Sequence, residues 1–303
     1  MEDEEQPGAR APLQAYLEIA YEYYMQDRLD AAMTVALDAF ERAGWPPGLW
    51  TAFYNELVCE KDAREASVIH KVDEGLSIEL PQSEPADVYE NLKVLALEAR
   101  ERVGKLLGVD YHRPVMNTVF LPDAPVDFIV GSHGYVSHKV GLDKICMPYE
   151  TLRSRRETVD TLLHEFSHVA AYELAADALP RWLGEGLATY LCGDLSSRHC
   201  RSVIGAAVRS RRMLSAGRLE ATLNSADLRK EDPDEVEAAY LVSGSLVAWW
   251  VERVGLASVR DVLALIGQGQ GLNRAIRKAT GMSLRSMERE WRRELHETHE
   301  SSP

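Results

Sequence analysis

Leu163-His164-Glu165-Phe166-Ser167-His168-Val169 decides the reading of this chain: two histidines four residues apart, with a glutamate directly after the first. The surrounding run from Thr158 to Leu174 has neither Pro nor Gly, and Leu162, Leu163, Phe166, Val169 and Ala170 recur at roughly helical spacing. On a helix, residues four apart share a face, so the imidazoles of His164 and His168 can converge on one metal ion. Glu165 is too close to the first histidine along the helix to complete a tetrahedral set with both. It can instead reach a water at the ion and act as its general base. The five-residue pattern also arises by chance, and by itself it fits an ordinary pair of surface histidines equally well.

The downstream stretch changes that balance. Leu179-Pro180-Arg181-Trp182-Leu183-Gly184-Glu185-Gly186-Leu187-Ala188-Thr189-Tyr190 reads as a loop followed by a second helix starting near Arg181. Glu185 lies seventeen residues after His168, enough chain to end one helix, turn and return a carboxylate antiparallel to it. Two imidazoles and a carboxylate leave a fourth tetrahedral position to water, the pattern of a catalytic and not a closed structural site. The small residues Gly184, Gly186 and Ala188 predict a close approach of the second helix to the first.

Taken together, H-E-F-S-H and L-P-R-W-L-G-E-G-L-A-T-Y resemble the gluzincin metallopeptidases, in particular the small "peptidase MA-like" branch related to thermolysin and the zinc aminopeptidases. The resemblance runs from about Leu97 to Trp291. It implies one zinc ion, with His164, His168 and Glu185 as ligands and Glu165 as the base that activates water. It also implies an α+β, zincin-like fold with a mainly helical C-terminal part, here preceded by an N-terminal helical hairpin.

Composition bounds the alternatives. The 303 residues are 46% hydrophobic and 27% charged, ordinary for a folded globule. With 34 basic and 48 acidic residues the net charge is -14, which argues against a nucleic-acid partner. No stretch of eighteen uncharged apolar residues occurs, so no membrane span is expected. Met1-Glu2-Asp3-Glu4-Glu5-Gln6-Pro7 lacks a basic and apolar leader, and Cys59, Cys146, Cys192 and Cys200 form no C-x-x-C. A reducing cytoplasm is the simplest location, with export by another route left open.

The rest of the chain divides into an acidic disordered tail (1–10), a helical cap (11–60), an α/β catalytic part (61–195), a C-terminal helical part (196–295) and a frayed tail (296–303). Within the cap, Leu17, Ala20, Tyr21, Tyr24 and then Leu29, Ala32, Met33, Ala36, Leu37 and Phe40 predict two amphipathic helices broken at Gln26-Asp27-Arg28. A short helix over Leu49 to Val58 follows. The hairpin is a cap or a docking element for a protein partner. Short strands are expected at Val68–Val72, Leu76–Leu80 and Arg113–Leu121, with one or two between Gly134 and Pro148 and a long helix over Val88–Leu107. Asp123 to Val130 reads as a short helix or turn. His133 and His138 read as polar loop or cleft residues, because the motif already supplies its histidines. Residues 217–234 read as a flexible polar loop. Helices are expected over Arg201–Leu214, Val236–Val254, Ser258–Ile266, Leu272–Thr280 and Leu284–Leu295, the last with Ser283 as N-cap.

Three details qualify the resemblance. In the aminopeptidase branch a Gly-x-Met-Glu-Asn sequence precedes the motif helix, and none occurs here, which leaves endopeptidase or an unusual exopeptidase activity open. Thermolysin-like enzymes carry an aspartate four residues after the glutamate ligand to orient a histidine; here that position is Thr189. By resemblance, Tyr240 in Ala239-Tyr240-Leu241-Val242-Ser243-Gly244 is the candidate donor to the oxyanion. Gly244 stands four residues on, where the aminopeptidase pattern has its glycine at three. A purely packing role for Tyr240 stays equally open, and Tyr190 is a weaker rival. The expectation is a zinc-dependent metallohydrolase acting on peptides or proteins. Its alternative is a zinc-binding or metal-free interaction protein on the same scaffold.

Overall fold

Parallel neighbours in a sheet cannot be joined by a hairpin, and this chain meets that constraint by placing its 22-residue helix α4 (Ala86–Leu107) between β2 (Leu76–Pro81) and β3 (Val115–Val119). The computed structural model describes residues 10–44, 49–126, 134–193, 195, 197–210, 215–224 and 232–300. Its architecture is α+β, mostly helical with one small mixed sheet. Its contacts divide into two units, Met1–Tyr89 with Arg113–Leu152, and Glu90–His112 with Arg153–Pro303. No helix among the described residues is long and apolar enough to cross a membrane. Expectations placed on the first nine residues, on His133 and on 127–130 lie outside the described residues.

The first unit holds α1 (Arg10–Met25), α2 (Leu29–Ala43), α3 (Leu49–Ala66) and a five-stranded sheet. The strands are β1 (Ser67–Lys71), β2, β3, β4 (Tyr135–Lys139) and β5 (Leu142–Met147), in the order β1-β2-β3-β5-β4. β2, β3 and β5 run parallel, and the two outer strands are antiparallel to their neighbours. Asp73 accepts the Gly75 N–H (2.7 Å) to close the β1–β2 turn, and Gly141, at φ 73°, supplies the left-handed residue of the β4–β5 turn. The hairpin of α1 and α2 packs largely as the sequence periodicity requires, with Leu17, Ala20, Tyr24, Leu29, Ala32, Ala36 and Phe40 buried against Phe53 and Leu57 of α3, while Tyr21, expected on the same face, is 48% exposed. α3 continues eight residues beyond the expected end at Val58, through Glu60, which is wholly buried.

Glu60 is the centre of a buried ionic cluster. Lys139 and Lys144, each with no exposed side-chain surface, donate to its Oε2 at 2.7 and 2.6 Å. Tyr24 places its hydroxyl between Glu60 and Glu56, and its ring lies under the Lys139 ammonium at 3.7 Å. Glu79 lies 3.8 Å from Lys144 and accepts from Thr118 (2.8 Å). The cluster joins the helical hairpin to the edge strand β4, with a backbone bond from Val140 N–H to Met25 C=O (2.7 Å) alongside. His138 is paired with the buried Asp143 at 2.9 Å, a structural role within this unit.

The second unit is helical: α5 (Arg155–Ala175), α6 (Arg181–Cys192), α7 (Arg198–Ser210), α8 (Ala216–Leu223), α9 (Pro233–Val254), α10 (Leu256–Gly267), α11 (Leu272–Thr280) and α12 (Leu284–Glu300). Ser154 caps α5 through the Glu157 N–H, and Asp232 with Pro233 starts α9. The stretch expected to be a polar loop from 217 contains α8. Its buried residues, Ala216, Leu219 and Leu223, recur at helical spacing, and Ser215 caps it. Those few apolar positions were outnumbered by polar neighbours, which is why composition suggested a loop. α12 runs on through His296 to Glu300 where fraying was expected, and Ser283 accepts from the Ser286 N–H as its cap (3.2 Å). Buried tryptophans fasten the later helices, Trp250 donating to Ser258 (2.9 Å) and Trp291 to Ser245 (3.1 Å).

Candidate active site

The site lies within the second unit, on α5, α6 and α9. α5 turns His164 and His168 to one face, as four-residue spacing demands. The chain then leaves the helix through Ala176, at φ 48°, and a 3₁₀ turn at Ala176–Ala178, and Pro180 stands as N-cap of α6. A proline there supplies no side-chain cap. The acid that does so comes from α8: Glu220 accepts the N–H groups of Arg181 (3.3 Å) and Trp182 (3.0 Å). Glu288 of α12 in turn accepts the Ala216 N–H at the start of α8 (2.7 Å). Two carboxylates thus fix successive helix starts leading to Glu185.

Small residues set the depth of α6 on two sides, toward α5 at Gly184 and more tightly toward α9. A Cβ added at Gly186 would stand 2.7 Å from the Ser243 carbonyl oxygen, and one added at Gly244 would stand 2.7 Å from Thr189 Cγ2. The tightest approach is therefore between α6 and α9. Gly184 faces Leu179 and the His168 ring.

His164 Nε2 and His168 Nε2 are 3.1 Å apart, and Glu185 Oε2 lies 3.3 and 3.2 Å from them. Donors about 2.0–2.2 Å from a tetrahedral ion stand roughly 3.3–3.6 Å from one another. The triangle therefore matches one face of such a coordination shell with a slight contraction. The donor set, two imidazole nitrogens and a carboxylate, is that of a zinc site with a position left open, and among the described residues it is a group of three able to hold a metal.

Electrostatics describe the same cluster from its protons. Burial works against a charged His164, yet the contacts with Cys192 and Glu185 and the charges of Glu165 and Glu185 raise its pKa well above the ordinary value. Burial likewise would raise Glu185, but His168 and His164 hold it well below the carboxylate range. Two buried carboxylates beside two imidazoles concentrate negative charge that a bound cation would balance. Glu165 is 1% exposed, and neither of its oxygens has a hydrogen-bond partner among the described residues. Burial raises its pKa, with Glu185 adding to the effect against the two histidines. A buried carboxylate without partners is costly unless something is meant to meet it.

Tyr240, on α9, comes to the same place. Its ring centre is 6.4 Å from that of His164, it is 7% exposed, and burial, the Glu185 charge and the Glu165 charge together push its pKa up. Arg181, which the sequence marks only as the start of the helix, also belongs to the site. It lies 3.5 Å from Glu185 Oε1, four residues earlier on the helix, and interacts with the Tyr240 hydroxyl. Its i,i+4 relation to Glu185 was the available signal. Cys192 was also missed: its sulfur lies 3.8 Å from His164 Nδ1. It follows Glu185 by seven residues, two turns of helix, and so shares its face. Tyr190, five residues after Glu185, is carried about 140° around the helix axis from it.

No curated protein matches the chain by sequence. Residues 147–297 match the family described as the Peptidase MA superfamily, a span that starts at the end of β5 and takes in α5 through most of α12. It contains all the residues of the His164, His168 and Glu185 group, with Glu165 and Tyr240. Through these residues the chain belongs to the Peptidase MA superfamily as a gluzincin-type, peptidase-like protein.

Proposed function

We propose that the chain is a zinc-dependent peptidase of zincin-like fold, in which His164, His168 and Glu185 hold the ion and Glu165 is the general base. One observation carries the reading: three donor atoms 3.1–3.3 Å apart stand beside a buried glutamate whose oxygens have no hydrogen-bond partner among the described residues. Zinc, when bound, polarises a carbonyl and lowers the pKa of water toward about 7.

The chain's own groups supply the remaining chemistry. Glu165, with proton affinity raised by burial, takes a proton from the attacking water and passes it to the leaving nitrogen. Tyr240, held neutral by burial beside acidic neighbours, keeps its O–H available to donate to the oxyanion as negative charge develops. Arg181 is placed to neutralise the outer oxygen of Glu185 and to orient the Tyr240 hydroxyl. The superfamily points to a peptide or protein substrate.

The test is metal analysis of the purified protein together with a fluorogenic peptide-library assay, with and without chelator. About one zinc per chain and chelator-sensitive cleavage support the reading. Absence of metal after reconstitution with zinc overturns the ligand assignment. A zinc-loaded protein inert toward peptides, amides and esters favours a non-catalytic, zinc-binding scaffold.

A further inference from the structure

A metal-binding imidazole is ordinarily held by its second ring nitrogen, which donates to a carboxylate, a carbonyl or water. At His164 that nitrogen, Nδ1, faces a thiol. Cys192 Sγ is 3.8 Å from Nδ1 and 3.8 Å from the Thr189 carbonyl oxygen, within hydrogen-bonding reach for sulfur on both sides. Thr189, the position where thermolysin-like enzymes carry an orienting aspartate, is used otherwise. Its methyl group is the atom a Cβ at Gly244 would strike, so it fills the seam between α6 and α9.

Chemistry fixes the direction of both bonds. His164 Nε2 points toward His168 and Glu185, and to give its lone pair to a cation it must carry no proton. The neutral ring then bears its proton on Nδ1, which donates to the sulfur. The thiol's single proton is left to donate to the Thr189 carbonyl. Donors and acceptors match along the whole chain, with no charge added.

We propose that Cys192 is the positioning residue for His164, fixing its tautomer and ring plane in place of the missing carboxylate. The inference rests on the metal-site reading above and adds to it a dependence between helices. α6 supplies one ligand, Glu185, and through Cys192, two turns further on, it orients a ligand that α5 supplies. Any rotation of α6 would move both. A neutral thiol is also a weaker acceptor than a carboxylate, so His164 should be a less basic ligand than a carboxylate-supported histidine.

The test is zinc affinity, measured by competition with a chromophoric chelator, for wild type, Cys192→Ala and Cys192→Asp, with folding of each apoprotein checked by circular dichroism and thermal melting. Cys192→Ala should bind zinc 10- to 100-fold more weakly, the usual effect of losing an outer partner of a ligand. Cys192→Asp has an oxygen that extends farther than sulfur toward Nδ1, and it should recover affinity to within a few-fold of wild type or exceed it. Wild-type affinity in a folded Cys192→Ala overturns the proposal. So does equal weakening in the alanine and aspartate variants, which would assign the thiol to packing. If wild type itself binds no zinc, the metal-site reading fails and the proposal with it; an unaffected alanine variant leaves that reading standing.

Discussion

Glu220 on α8 accepts the backbone N–H of Trp182, 38 residues earlier in the chain, at 3.0 Å and so closes the start of the helix that carries Glu185. Because Pro180 cannot cap α6 with a side chain, the carboxylate is the partner for two otherwise orphaned donors and complements the positive end of the helix. Glu220→Ala should destabilise the protein by about 1–2 kcal/mol, the range of strong caps. Chemical denaturation checks the stability. Zinc affinity of the same variant should fall with it, since Glu185 sits in the first turns of that helix. An unchanged denaturation midpoint would show the contact to be idle.

The seam between α6 and α9 admits no side chain at residue 186. Gly186→Ala would gain about 1 kcal/mol in helix propensity but set a methyl 2.7 Å from the Ser243 carbonyl oxygen, a backbone atom that cannot swing aside. Overpacking typically costs about 1–3 kcal/mol and here displaces the helix that carries the glutamate. The variant should melt at lower temperature than wild type. Gly217→Ala serves as the control, since a Cβ there meets nothing within 4 Å.

That the histidines and Glu185 come together was legible because their relation is local or nearly so: four residues on one helix, then a return over seventeen. The amphipathic helices were legible for the same reason. What escaped depends on partners distant in sequence. Glu220 is one acid among several polar residues until its place opposite residues 181 and 182 is known. Lys139 and Lys144 look like solvent-facing strand residues, yet Glu60, about 80 positions earlier, draws both inside. Cys192 could have been found from its seven-residue spacing to Glu185, but nothing local indicates that His164 would lie beside it.

The ionic cluster of the first unit should give stability a pH dependence of its own. Its groups are Glu56, Glu60, Tyr24, Tyr135, Lys139, Lys144, Cys146, Glu79, Asp27 and Arg64. Burial and the neighbouring Glu60 raise Glu56 to about 7 from 4.5. The folded state therefore keeps a proton the unfolded state has lost, and stability falls as pH rises from about 4.5 through 7. Glu60 is moved the other way, to about 2, by Lys144 and Lys139 against its burial, so its contribution is lost as pH falls below about 4.5. Glu56→Gln should flatten the decline between pH 4.5 and 7, a slope worth at most about 3 kcal/mol because the residue keeps some exposure. Denaturation midpoints at half-unit pH steps measure it. Glu60→Gln should cost about 3–5 kcal/mol at neutral pH by removing the carboxylate that two buried ammonium groups share, leaving only the longer contacts to Asp27 and Glu79. Equal pH profiles for wild type and Glu56→Gln would place the titration elsewhere.

Glu165 separates an enzyme from a scaffold. It is buried, its oxygens have no hydrogen-bond partner among the described residues, and its neighbours on the helix are the two histidines assigned to the metal. As a base it makes no bond to the ion, so Glu165→Gln should leave zinc content intact. The amide is nearly isosteric and removes a charge that no hydrogen bond from the described residues neutralises, so the melting temperature should stay the same or rise. Turnover should nonetheless drop by at least ~10²-fold, the lower end of what a positioned acid–base group contributes. Tyr240→Phe should also keep its zinc and should lower kcat with little change in KM, since a contact with the oxyanion exists mainly in the transition state. Zinc content and steady-state cleavage must be measured on the same preparations, because a loss of metal would imitate a loss of the base. Equal cleavage by wild type and Glu165→Gln would assign the activity to a contaminant or to another site. A higher melting temperature together with lost turnover would identify Glu165 as a residue kept at a cost in stability for the sake of the reaction.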